Sequence, residues 1–152
     1  IEALAGYEFA LTNGLSVPVE ATWTYTDAEV TKDSDSGNVL KGDNLVYLPE
    51  NVLNLRTGLR AGNQWDAYLN VSYVDEMCID NTCDRSGTDN TFRKTESLTV
   101  VDLSGSYRVA EGARVFAKLD NVFDTQKIIA RSPEGARPNL PRTASVGVTV
   151  DF

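Results

Sequence analysis

The stretch Pro141-Arg142-Thr143-Ala144-Ser145-Val146-Gly147-Val148-Thr149-Val150-Asp151-Phe152 (PRTASVGVTVDF) alternates without a break over its last ten residues. Ala144, Val146, Val148, Val150 and Phe152 fall on one side; Thr143, Ser145, Gly147, Thr149 and Asp151 fall on the other. Successive side chains of an extended strand point to opposite faces, so a period of two predicts a strand with one apolar and one polar face. Six further segments carry the same pattern. They are 1–12 (Ala3, Ala5, Tyr7, Phe9, Leu11), 17–29 (Val17, Val19, Ala21, Trp23, Tyr25) and 52–61 (Leu53, Leu55, Thr57, Leu59, Ala61). The others are 65–75 (Trp65, Ala67, Leu69, Val71, Tyr73), 98–109 (Val101, Leu103, Gly105, Tyr107, Val109) and 114–123 (Val115, Ala117, Leu119). Helical periodicity is nearly absent, so the chain is read as all-β.

The connections alternate in length. Asn13-Gly14-Leu15-Ser16, Gly62-Asn63-Gln64 and Ala110-Glu111-Gly112-Ala113 read as tight turns, whereas the stretches near 30–51, 76–97 and 124–141 are long and polar. An up-and-down meander gives this rhythm when one rim is trimmed and the other elaborated, as in barrels with short periplasmic turns and long extracellular loops. With Phe152 at the periplasmic end, every short turn falls on the periplasmic side. Phe9, Trp65, Tyr107 and Phe152 then form one aromatic girdle, and Trp23, Tyr25 and Tyr73 the other. Two such girdles flanking an apolar band mark a lipid-facing wall. The opposite face carries Glu2, Glu8, Glu20, Thr22, Thr24, Arg56, Arg60, Asp66, Asn70, Ser72, Asp102, Ser104, Ser106, Arg108, Lys118 and Asp120. A soluble barrel would reverse the two faces; a soluble ligand-binding β-barrel or sandwich stays as the alternative fold.

Composition narrows the function. The 152 residues carry 14 basic and 22 acidic side chains, a net charge of −8, which argues against a general nucleic-acid surface. No histidine is present, so a His-based zinc site or a Ser-His-Asp triad is excluded within this chain. No apolar run reaches the roughly 18 residues of a membrane helix, which says nothing against membrane strands. The two cysteines, Cys78 and Cys83, bracket four polar-loop residues. That spacing suits neither a CxxC redox motif nor zinc, so a small loop-closing disulfide and an oxidising compartment are expected. Asp33-Ser34-Asp35-Ser36-Gly37 with Asp43 falls short of a calcium loop, because Gly37 and Asn44 stand where further oxygen ligands belong. No metal site, cofactor or catalytic residue is expected.

An odd strand count is at variance with the even number of single-chain bacterial barrels, and the chain opens at Ile1 inside a strand pattern. The expectation is a segment of a larger barrel with strands upstream; a small structural or adhesive outer-membrane barrel is the alternative.

Particular residues sharpen this. Val100–Arg108 (VVDLSGSYR) resembles the "VDLS.SY" strand of TonB-dependent outer-membrane receptors. Arg114–Asp124 (RVFAKLDNVFD) resembles their "NlfD" strand, and 128–143 (IIARSPEGARPNLPRT) their last loop with "GaRPG.PR". Leu48–Leu55 (LPENVLNL) is similar to their "vP.h.lnl" segment, and Phe152 to their terminal aromatic. Asn139, where Gly is common, and Gln126-Lys127, where Tyr often follows, depart from the pattern. Within the family the last loop looks most like the ferric-dicitrate or siderophore type.

The resemblance implies an antiparallel up-and-down transmembrane β-barrel segment, about seven strands of a plugged barrel of about 22. Residues 1–152 would be its C-terminal part, with the plug and upstream strands outside this chain. It further implies the bacterial outer membrane, and energy-coupled import of ferric citrate or another ferric siderophore. The implied partners are the TonB complex, engaged through an N-terminal region, outer-membrane lipid or lipopolysaccharide, and the barrel assembly machinery. In the family the closing strand is the assembly signal, here Val146, Val148, Val150 and Phe152. An anionic chelate calls for guanidinium and ammonium groups. The segment 124–142 supplies Lys127, Arg131, Arg137 and Arg142 against Asp124 and Glu134, while 27–50 is acidic, with a net charge of −4. Arg131, Arg137 and Lys127 are therefore the ligand candidates. The bland reading of these cations is that they hold loop shape. Arg56, Arg60, Arg108, Lys118, Asp102 and Asp120 are read as lumen charges that brace the wall.

Overall fold

A computed structural model describes residues 1–83, 92–132 and 135–151. Phe152 of the expected assembly signal and Glu134 of the last loop lie outside the described residues. The strands are β1 (Glu2–Ala10), β2 (Leu15–Tyr25), β3 (Asn51–Ala61), β4 (Trp65–Val74), β5 (Leu98–Ala110), β6 (Ala113–Asp120), β7 (Ile128–Ala130), β8 (Arg137–Pro138) and β9 (Thr143–Val150). Seven form one antiparallel sheet in the order β1-β2-β3-β4-β5-β6-β9, with every neighbour next in line except where the β7–β8 ribbon intervenes. The sheet is open, with β1 and β9 as its edges.

Pairing carries the period-two pattern across all seven strands. Residues directly opposite in an antiparallel pair share a face. The partners Ala5↔Ala21, Ala21↔Leu55, Leu55↔Val71, Val71↔Val101, Leu103↔Leu119 and Leu119↔Ala144 trace one continuous apolar face. The partners Gly6↔Glu20, Glu20↔Arg56, Arg56↔Asn70 and Asn70↔Asp102 trace the polar one. Turns lie at one end of the sheet and long connections at the other.

The strand limits correct the sequence reading in places. Leu15 and Ser16 begin β2 instead of closing the first turn, which is a 3-10 turn at Thr12–Gly14. The first, second and sixth strands stop short of their expected ends, and a two-stranded ribbon, β7–β8, stands where only a loop was expected. Pairing between β5 and β6 skips Val109, a bulge that takes this residue out of the regular ladder. The β2–β3 ladder skips Val17 and Pro18 without changing register. Pro18 has no N–H to give, and Gly58 stands opposite it. At Gly58 the backbone passes so close to β4 that a Cβ would sit 2.3 Å from the Ala67 carbonyl oxygen and 2.7 Å from the Tyr68 ring.

Burial separates this sheet from a soluble sandwich, whose second sheet would cover the apolar face at about 10 Å. Among the described residues the buried apolar side chains are Cys78 and Cys83 alone, and both lie in a long connection. Leu53, Leu55, Leu59, Leu103 and Val146 on the apolar face are exposed. Trp65 and Tyr73 are eight residues apart on β4, about 27 Å at roughly 3.4 Å per residue. A barrel tilt of about 40° lowers this to about 21 Å, near the roughly 25 Å apolar band of a membrane barrel.

Candidate functional site

The end of the sheet that carries the long connections begins with aromatics anchored by polar groups. Trp23 Nε1 donates to Asn51 Oδ1 at 3.0 Å, and the Tyr73 hydroxyl donates to Asp75 Oδ1 at 2.5 Å. Asn51 joins the two by donating from Nδ2 and from its backbone N to Asp75 Oδ2, at 2.8 and 3.1 Å. Rings on the apolar face thus turn their polar tips into a hydrogen-bonded rim, as amphipathic aromatics do at a membrane boundary. The Tyr73 hydroxyl, and after it Asn51, hold the Asp75 carboxyl below its ordinary range against the opposing effect of desolvation. At the turn end, Tyr7 and Phe9 meet edge to face at 4.6 Å, and Trp65 pairs with Tyr107. The other girdle residue, Tyr25, packs 6.3 Å from Trp23.

Above the rim, irregular backbone is satisfied by side chains. In the first connection, Asp33 Oδ1 accepts from Lys41 N at 2.6 Å, and Asp43 Oδ2 from Leu40 N at 2.7 Å. The acidic residues noted in the sequence therefore fold the loop. In the second connection, Cys78 and Cys83 are joined in a disulfide, and Cys78 bridges to Lys94. Asp80 accepts from Thr82 N and Oγ1 at 2.8 and 2.6 Å. A cavity of about 270 Å³ lies between these two connections, with Asp27, Glu50, Asp75, Glu76 and Lys94 in its wall.

The third connection is built on two buried asparagines. Asn121 has φ 52°, a left-handed conformation that Asn tolerates better than most residues. Its Oδ1 accepts from Thr125 N, and its Nδ2 donates to the carbonyls of Thr125 and Leu140 at 2.9 and 3.0 Å. Asn139 donates to the same two carbonyls, and its Oδ1 accepts from Lys127 N at 2.8 Å. The departure at Asn139 thus has a structural use that Gly could not supply.

The candidate cations separate. Lys127 Nζ pairs with Glu96 Oε1 at 3.1 Å. Glu96 Oε2 accepts from Ile128 N at 2.7 Å; that backbone bond first, and Lys127 after it, depress the Glu96 pKa. Arg131 donates from Nε to Lys94 O at 2.9 Å and from its backbone N to the Tyr47 hydroxyl at 3.3 Å. Arg137, on β8, is exposed; its backbone pairs with Ala130, and its side chain makes no hydrogen bond or ion pair among the described residues.

On the polar face, Arg56 stacks over the Tyr68 ring at 4.1 Å, and Arg60 pairs with Glu8. Lys118 meets Asp120 at 2.5 Å, and Asp102 accepts from Asn121 N at 2.8 Å. Arg108 stands directly opposite Arg114, without an ion pair among the described residues. Arg114 went unnoticed in the sequence: its Nη1 reaches Asp66 at 2.8 Å and also Ser106, and its Nη2 donates to Asn63 O at 2.9 Å. Period-two counting over 114–123 could have placed it on this face. Its partner Asp66 is 48 residues away and not inferable from local pattern.

A family model described as TonB dependent receptor-like, beta-barrel matches residues 3–122. The metal-pseudopaline receptor CntO of Pseudomonas aeruginosa is 29% identical over 136 residues, covering 86% of this chain and 18% of the relative. The chain therefore spans about a fifth of the length of the curated relatives it matches. Among solved structures, the ferric-catecholate import receptor Fiu of Escherichia coli K12 aligns with a TM-score of 0.67 and 22% identity, over 99% of this chain and 21% of that one. The siderophore receptor PiuA of Acinetobacter baumannii aligns with a TM-score of 0.67 and 18% identity, over 98% and 21%. At these identities the structural likeness speaks for the fold.

Proposed function

The chain belongs to the TonB-dependent receptor β-barrel family of the bacterial outer membrane, and on that premise we propose that it forms part of the wall and outer rim of a receptor that imports a metal chelate. The observation that carries this reading is the two-faced open sheet. One face is apolar, with aromatic girdles; the other is charged; all long connections gather at one end. In outer-membrane barrels that end is extracellular. The two open edges favour further strands beside β1 and β9, so that the seven strands are a segment of a closed, plugged barrel of about 22. Residues 1–152 are its C-terminal part, and the plug lies elsewhere in the full protein.

The receptor binds and gates, and makes no covalent bond. TonB supplies the energy through a region beyond this chain, and the terminal strand β9 serves the assembly machinery. Ferric citrate or another anionic ferric siderophore is the cargo that suits a basic third connection. Arg137 is the cation available to it, since Lys127 and Arg131 are already engaged. The test is growth of a strain lacking the receptor on ferric citrate, a catecholate, a hydroxamate and an opine-type chelate, each as sole metal source. Growth is expected to fail on one of them and to return with the full-length gene. Undiminished growth and uptake of all of them would overturn the reading.

A further inference from the structure

We propose that Phe123 and Leu140 anchor the base of the third connection in the acyl region of the outer leaflet, so that the lipid contact of the wall runs on past the ends of β6 and β9. The inference rests on reading the sheet as a membrane wall, and its test has a separate readout for that reading.

Their level comes from the register. Leu69, Leu103, Leu119 and Ala144 stand opposite one another in turn and form one row of the apolar face. On β4, the girdle residue Tyr73 stands four residues beyond that row, toward the long connections. Phe123 stands four residues beyond Leu119 on the chain leaving β6, and Leu140 four residues before Ala144 on the chain entering β9. Both reach the level of the outer girdle, at a corner where β6 and β9 bring neither tryptophan nor tyrosine. Phe123 is 73% exposed and Leu140 81%. β9 is an edge, but a further strand beside it pairs through its backbone and leaves the faces of the sheet open.

The backbone around the two side chains is turned inward. Asn121 N donates to Asp102 Oδ1 and Val122 N to Val101 O, both at 2.8 Å. Asn121 takes the N–H of Thr125 and Asn139 that of Lys127, and both amides are buried. Asp124 Oδ1 accepts from Arg142 N at 2.8 Å, which ties the turn holding Phe123 to the chain after Leu140. A turn in water does the reverse: it leaves backbone groups to solvent and shows polar side chains. Irregular backbone at the edge of hydrocarbon has no water to bond, so its polar groups must be satisfied within the protein. Apolar side chains outward with bonded backbone inward is the arrangement expected at lipid depth.

The contrast with β2 and β4 fixes the occupant. There Trp23 and Tyr73 carry polar tips that bond to Asn51 and Asp75. Phe123 and Leu140 have no such tip, and they continue the lipid-facing surface, so acyl chains cover them. Arg142, two residues past Leu140, is exposed; among the described residues its guanidinium touches only the Val122 carbonyl, at 3.5 Å. A long cation beside an apolar anchor suits the headgroup layer above it.

Spin labelling tests this in the full-length receptor, held in nanodiscs of phosphatidylethanolamine, phosphatidylglycerol and lipopolysaccharide. Phe123→Cys and Leu140→Cys carry the nitroxide one at a time, with Leu55→Cys as the wall control and Lys41→Cys as the loop control. Heat-modifiable gel mobility selects folded variants. Collisions with oxygen should exceed those with a water-soluble nickel chelate several-fold at 123 and 140, as at 55, and the order should reverse at 41. Nickel preferred at 123 or 140, with oxygen preferred at 55, overturns the anchor and leaves the wall standing; those side chains would then face water or the cargo path. Few collisions with either reagent also overturns it, since protein would cover the site. Nickel preferred at 55 sinks the membrane-wall reading itself, and the anchor with it.

Discussion

The strand wall and the loop rim of this molecule are held together by opposite means. In the wall, backbone pairs with backbone in register across seven strands, and side chains are left to face lipid or lumen. In the rim, regular pairing gives out, and side chains must take up the orphaned backbone groups. Asp33, Asp43, Asp80, Asn121 and Asn139 all do so. All four buried polar side chains among the described residues (Asp43, Thr95, Asn121 and Asn139) lie in the connections. A buried peptide group needs a partner; where the neighbouring strand does not provide one, a carboxylate or amide does. The wall is consequently tolerant of side-chain identity and sensitive to backbone geometry, and the rim is the reverse.

The strongest challenge to that division is Asn121→Ala. It strands Thr125 N and removes a donor from two carbonyls, and it leaves alanine at a left-handed φ. Asn139 still donates to both carbonyls, so at about 1–3 kcal/mol for the one orphaned group, Thr125 N, and about 1–2 kcal/mol for the left-handed alanine, a local loss of about 4 kcal/mol is expected. Hydrogen exchange should rise throughout 121–142, while heat-modifiable gel mobility of the full-length receptor stays normal. A collapse of the whole barrel would show that rim and wall are not separable.

Gly58→Ala probes the wall in the same spirit. Its Cβ would meet the Ala67 carbonyl oxygen at 2.3 Å, backbone that cannot give way without shifting β4. A loss of about 3 kcal/mol is expected, read as a lower temperature for the gel-mobility transition, with the rim following the wall. Gly147→Ala is the milder companion, since the Cβ would meet the movable Phe116 ring instead.

Replacing Cys78 and Cys83 together by Ser should cost about 2 kcal/mol, the loop-closure value for so short a ring. The effect should be confined to exchange in the second connection. Mass spectrometry of the unmodified protein should find the two cysteines linked; free thiols would remove this clasp from the rim.

Acid gives the smallest effect. The pKa values of Asp75 and Glu96 are lowered in the folded protein, by the Tyr73 hydroxyl and the Ile128 N–H respectively as leading causes. Their stabilisation is therefore fully present above the ordinary carboxylate range, about pH 4, and is lost as pH falls through the lowered values. Protection at 94–97 and 127–129, measured relative to the intrinsic exchange rate at each pH, should stay flat from neutral pH to about 5 and fall only in stronger acid. Glu96→Gln should flatten that response.

Legibility followed the same boundary. The strands could be read because a period of two is a local property: Trp65 to Tyr73 displays its apolar face whatever it pairs with. Parity alone also put the aromatics and most of the charges on the two faces that the pairing shows. The rim could not be read this way. That Arg131 is held by Lys94 and Tyr47, or that Asn139 supports Lys127, depends on where separate loops come to lie. The β7–β8 ribbon is too short for any period to emerge, and that Pro18 interrupts the ladder to β3 and not the one to β1 is set by the pairing.

By itself, then, the sequence determined a two-faced, up-and-down sheet with trimmed turns at one end and long connections at the other. Alternation, turn residues and aromatic spacing are all encoded within a few residues of one another. The tertiary structure alone decided that Lys127 and Arg131 are engaged while the Arg137 side chain has no partner among the described residues. It also decided that the three connections meet at Arg131, the first through its backbone and the second through its guanidinium. Such contacts join residues tens of positions apart, and nothing in local pattern selects one such pairing over another.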